Sequence, residues 1–154
     1  MAVPKSIHAA KGLWQGKSLL NLSWLPPDKQ VTESQSSFHV DTDKHDSFAT
    51  ITYTWAHEGK PQEGTLLLCQ AAKTKHLDMG WVDSWHQNTS VLHLTGEESE
   101  TGSVKAKGTY PAGKETWGWT IAFEYDGSQL SMIMENVTPS GEATWAVKAT
   151  YKKA

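Results

Sequence analysis

Large apolar residues alternate with small or polar ones along Trp117-Gly118-Trp119-Thr120-Ile121-Ala122-Phe123-Glu124-Tyr125. Alternate side chains of a strand point to opposite faces, so this segment predicts a strand with one aromatic wall. A helix would scatter the same residues around its axis. The period recurs over residues 48–57, where Ala49, Ile51, Tyr53, Trp55 and His57 face one way and Thr50, Thr52 and Thr54 the other. Further strands are expected at 12–24, with Leu20, Leu22 and Trp24 on one face, and at 38–40, 65–70, 77–87, 91–95, 104–110 and 130–137. The last, 144–152, puts Trp145, Val147, Ala149 and Tyr151 on one face.

The punctuation between these runs is turn chemistry: Pro26-Pro27, Glu58-Gly59-Lys60-Pro61, Asp126-Gly127 and Pro139-Ser140-Gly141. Residues 1–11 read as a short polar lead-in, 28–36 as a loop and 96–102 as an acidic hairpin loop. No segment carries a sustained helical period. About ten strands in sequential hairpins predict an all-β fold, an antiparallel up-and-down β-barrel, as one domain over residues 1–154. Closure solves the edge problem, and a barrel of this strand number has room for side chains plus a modest ligand.

Composition narrows the function classes. The chain of 154 residues has a net charge of −3 and no basic stripe, which argues against nucleic acid as a partner. No run approaches the roughly 20 apolar residues of a membrane-spanning helix, and the N-terminus lacks the apolar run of a secretory signal. A cytoplasmic protein is the expectation, and the sequons at Asn21, Asn88 and Asn136 then carry no meaning. Cys69 is the single cysteine, which excludes an internal disulfide, and its place after Leu66-Leu67-Leu68 reads as a small buried hydrophobe. All fourteen basic residues are lysine, so no guanidinium clamp on a carboxylate or phosphate is available.

Gly12-Leu13-Trp14 resembles the Gly-x-Trp opening of lipocalin-like (calycin) barrels, in which the tryptophan packs across the closed end. Residues 80–86, the hairpin formed by 120–127 and 130–135, and the closing segment from Pro139-Ser140-Gly141-Glu142 through Trp145 to Lys153 are similar to a bacterial lipocalin-like family catalogued only as a domain of unknown function. That resemblance covers nearly the whole chain and implies a barrel without an assigned activity. Gly12, Trp14 and Gly16 also match the opening of haem-binding nitrobindin-type barrels, whose haem histidine lies near the C-terminus. Here the last histidine is His93, so no haem or other cofactor is expected. Fatty-acid-binding calycins hold a carboxylate with arginine, which this chain lacks.

Candidate chemistry centres on Trp81, Asp83 and Trp85, which share a face at period two. A carboxylate among indoles loses solvation, and it either finds hydrogen-bond donors or becomes available for proton transfer or for a polar ligand group. His86 is expected on the opposite face, as an exposed strand-end histidine. His57 shares the face of Tyr53 and Trp55, at the barrel mouth or in solvent. The remaining histidines show no ligand spacing, and no metal site is expected. The leading reading is binding of a small apolar or aromatic molecule, with Tyr53, Trp55, Trp81, Trp85, Trp117 and Trp119 as walls and Asp83 and His57 as polar handles. The alternatives are a barrel enzyme, an isomerase or cyclase using Asp83 or His57, and a protein-interaction module using the acidic loop at 97–100 or a strand edge. A homodimer is compatible with each.

Overall fold

The computed structural model describes residues 1–86 and 90–154. The strands are β1 (Gly12–Asn21), β2 (Val31–Thr42), β3 (Ala49–His57), β4 (Lys60–Gln70), β5 (His76–Asp83), β6 (Leu92–Glu98), β7 (Val104–Ala112), β8 (Glu115–Tyr125), β9 (Gln129–Val137) and β10 (Ala143–Lys153). Each is antiparallel to its sequence neighbour, and β10 returns to β1 to close the barrel. Closure leaves no free edge strand, so every strand finds a ladder partner on both sides. Among the described residues no helix is long and apolar enough to cross a membrane.

Period-two patterning translates directly into burial. In β3, Ala49, Ile51, Tyr53 and Trp55 are buried while Thr52 and Thr54 are exposed. In β8, Trp119, Ile121 and Phe123 are buried, and Trp117 and Tyr125 are half-buried at the two ends. The lower lumen is solid: the Phe38 ring lies 4.9 Å from Tyr151 and 5.9 Å from Phe123. Ser36 meets the Tyr151 hydroxyl at 2.8 Å, giving that buried phenol a partner.

The N-terminal residues do more than the expected polar lead-in. A short helix, α1 (Lys5–Ala9), lays Ile7 and the following Ala10 fully into the core, and Val3 is buried beside them. Trp14 Nε1 donates to the Ala10 carbonyl at 2.7 Å, and its ring meets Tyr125 edge-on at 5.6 Å. This end of the barrel is therefore stoppered. Positions 7 and 10 lie one turn apart, a pattern too short to stand out in a sequence.

Several boundaries differ from the sequence reading. The expected loop at 28–36 is mostly strand, because β2 begins at Val31 and pairs with β1 through Asn21. Ladder bonds are made by the backbone and need no apolar side chains, so a run of Thr, Glu, Ser and Gln gave no signal. β1 stops at Asn21, leaving Trp24 on the connecting turn, 73% exposed. A register shift in β10 puts Trp145 opposite Glu135 but Val147 opposite Met134, so Trp145 leaves the face of Val147, Ala149 and Tyr151. Cys69 is half-buried on the outward side of β4, between the inward Leu68 and Gln70. The acidic turn is shorter than 96–102, since β6 runs to Glu98, whose carboxylate accepts bonds from Lys5 N–H and Gln70 Nε2. The space across from the Trp119 face at Gly118 is filled by Val137 and Lys107. β5 ends at Asp83, and Gln87 and Asn88 lie outside the described residues.

Candidate functional site

The site is assembled at the open end, where β3, β5 and β1 finish and β8 and β10 begin. Tyr53, Gly64 and Asp83 stand side by side on β3, β4 and β5. A Cβ built on Gly64 would overlap the Tyr53 ring and hydroxyl. Glycine thus lets the tyrosine lie flat across β4 and reach the next strand. Tyr53 Oη donates to Asp83 Oδ2 at 2.6 Å and accepts from Trp81 Nε1 at 2.9 Å. Trp55 Nε1 donates to the same carboxylate oxygen at 3.2 Å. Burial first, then the Asp83 charge and its hydrogen bond, push the Tyr53 hydroxyl well above the ordinary tyrosine range, so it remains a donor at any physiological pH.

Asp83 Oδ1 accepts the backbone N–H groups of Trp85 at 2.8 Å and His86 at 3.0 Å. This is an Asx-type turn, in which an aspartate side chain stands in for backbone and reverses the chain. With four donors in place, the carboxylate is satisfied despite being 3% exposed. As wired, it orients Tyr53 and the turn; a substrate proton could reach it only by displacing a donor.

The turn also relocates His86. Strand alternation ends at Asp83, so the expected opposite-face, exposed histidine does not occur. The imidazole instead folds over the lumen, stacked on Trp55 at 5.5 Å, 5.3 Å from Trp119 and edge-on to Trp85 at 4.8 Å. Burial lowers its pKa to about 4, opposed by the Asp83 charge and reinforced by His57, so the ring is neutral at pH 7. His57 is partly buried, its ring 5.0 Å from Trp85.

Above His86 lies a cavity of about 220 Å³. Trp24, Trp85, Trp117, Trp119 and Trp145 line it together with His86, and Asn21 and Asn136 supply polar atoms. Beneath His86 is a void of about 10 Å³ among Ser18, Tyr53, Trp55 and Asp83, about the space of one water. A larger, shallow groove of about 710 Å³ runs along the outer wall past Glu97, Lys105 and Lys107. Among the described residues it is lined by no tryptophan, tyrosine or phenylalanine and has none of the buried polar wiring, so the mouth is the better candidate site.

The residues singled out from sequence therefore divide into three tiers. Trp85, Trp117 and Trp119 line the mouth cavity. Tyr53, Trp55 and Asp83 border the small void below it. Trp81 lies parallel beneath Trp119, 5.3 Å away with 9° between the planes, and His57 sits beside Trp85. Sequence reasoning missed His86, Trp24, Trp145 and Gly64. An Asp followed by Ser at a strand end was a usable turn signal for His86. Nothing local announced the other three, whose roles depend on neighbouring strands.

None of the curated proteins matches the chain. The crystal structure of Rv2717c from M. tuberculosis superposes with a TM-score of 0.68 at 15% identity, covering 99% of each chain. At that identity the likeness is one of fold. The sequence profile of the family described as "Protein of unknown function (DUF1579)" matches residues 5–153, and the chain belongs to that family.

Proposed function

We propose that this protein binds a small, flat, apolar or aromatic molecule in the mouth of its barrel. The observation that carries the reading is the mouth cavity itself: five tryptophans surround about 220 Å³ of space instead of filling it. Indoles supply broad apolar faces for stacking. The volume is below the roughly 300–1,000 Å³ of sites for drug-sized ligands, which suits a molecule of one or two rings. The lower barrel is packed around Phe38, Phe123 and Tyr151, so a ligand sits at the mouth rather than deep in the lumen.

Two measurements test this. Native mass spectrometry of freshly purified protein is expected to reveal a co-purified small molecule, or a free protein that takes up naphthalene-type compounds. Replacing Trp117 and Trp145 together by alanine is expected to weaken such binding at least tenfold while leaving the circular dichroism of the barrel unchanged. Binding that survives the double replacement, or no uptake of any aromatic compound, overturns the reading.

A further inference from the structure

The mouth-binding reading leaves open what kind of polar group the ligand carries, and the lining answers that. Among the described residues no Lys, Asp or Glu lines the cavity, and the chain has no arginine. An anion entering here would lose its water and meet no cation. Several polar side chains around the cavity already commit one atom: Asn21 Nδ2 donates to the Trp145 carbonyl at 2.9 Å, Asn136 Oδ1 accepts from Tyr110 Oη, and Thr138 Oγ1 accepts from Glu142 N–H at 3.1 Å. Ser23 and Thr144 are exposed at the rim, where water competes for them.

His86 differs from all of these. Its backbone is pinned by Asp83 at 3.0 Å, and its ring is stacked on Trp55 and tilted against Trp119. Among the described residues no side-chain hydrogen bond engages its imidazole, and the indole Nε1 of Trp119 beside it is a buried donor without a partner. It forms part of the wall of both the mouth cavity and the void beneath. A neutral imidazole offers one donor and one acceptor, fixed in direction.

We propose that His86 is the polar anchor of the mouth, hydrogen-bonding the hydroxyl or ring N–H of a neutral aromatic ligand while the tryptophans hold its rings. The inference rests on the mouth-binding reading and adds the ligand's charge and its point of attachment. Asp83 and His57 are the titratable groups facing the ring, and burial keeps it uncharged beside them.

Equilibrium dialysis at pH 7.5 with naphthalene, 2-naphthol and 2-naphthoate tests it. Wild-type protein is expected to bind 2-naphthol about tenfold more tightly than naphthalene, the factor a single hydrogen bond supplies, with 2-naphthoate weakest. In His86→Phe, 2-naphthol and naphthalene are expected to bind alike. Equal binding of 2-naphthol and naphthalene by wild type, or an advantage retained in His86→Phe, overturns the anchor and leaves the mouth-binding reading standing. Failure of all three compounds to bind overturns both. Should His86→Phe not fold, the ¹⁵N shifts of the His86 ring in wild type decide the matter. Movement with 2-naphthol but not with naphthalene supports the anchor, and no movement with 2-naphthol overturns it.

Discussion

Tyr53 and Asp83 meet across an intervening strand: the tyrosine hydroxyl reaches over Gly64 to donate to the carboxylate at 2.6 Å. One bond thereby ties β3 to β5 at the open end, and the same carboxylate anchors the turn that carries Trp85 and His86. Hydrogen bonds to charged acceptors contribute roughly 1.5–3 kcal/mol, and orphaning buried donors costs more. Tyr53→Phe is expected to lower stability by about 2 kcal/mol. Asp83→Ala, which strands four donors, is expected to cost at least about 3 kcal/mol. Urea denaturation of the two variants checks both values, and an Asp83→Ala protein as stable as wild type would show the network to be incidental.

Gly64 is the spacer in that relationship. Alanine there would overlap the Tyr53 ring, so Gly64→Ala is expected to cost on the order of 1–3 kcal/mol, the usual penalty of overpacking. Shrinking the tyrosine should relieve the clash. In a double-mutant cycle, Gly64→Ala combined with Tyr53→Leu is expected to be less destabilised than the sum of the single changes by about 1 kcal/mol. Strict additivity would mean that the overlap is absorbed elsewhere.

The half-buried His86 makes stability depend on acid. Its folded pKa of about 4 lies below the ordinary histidine value of 6.5. Above pH 6.5 neither folded nor unfolded chain protonates this ring, and the group contributes no pH slope. Between pH 6.5 and 4 the unfolded chain takes up a proton that the folded chain refuses, so stability falls as pH falls. At about 1.4 kcal/mol per unit the full loss reaches about 3 kcal/mol by pH 4. Unfolding free energies at pH 7.5, 5.5 and 4.5 are expected to show this slope in wild type and a shallower one in His86→Phe. Parallel slopes in the two proteins would assign the acid sensitivity to other groups.

The stopper at the closed end is expected to stabilise the barrel. Ile7 is fully buried, and truncating such a residue to alanine typically costs 2–5 kcal/mol. Ile7→Ala is expected to fall in that range in thermal and urea unfolding. A loss below about 0.5 kcal/mol would show that α1 docks without stabilising the barrel.

Where burial depends on alternation within a single strand, the residues announced the fold. The runs in β3 and β8 placed Tyr53, Trp55, Trp119 and Phe123 on the inner face, because the side-chain period of an extended chain is a local property. Turn residues located most of the hairpins, and ten strands in series implied closure. What the local period could not carry was anything set by a neighbouring strand. Polar β2 was legible only through its pairing with β1, and Trp145 changes face through a register shift measured against β9. The fit of Tyr53 over Gly64 needs three strands side by side. His86 reaches the mouth because the Asp83 side chain replaces the ladder as partner for the backbone, which ends the alternation at that residue. The sequence by itself determined that aromatic faces would line a barrel. Only the tertiary structure decided that Phe38, Phe123 and Tyr151 fill its lower half while the indoles above enclose a space, because volume is shared among strands and no one strand encodes it.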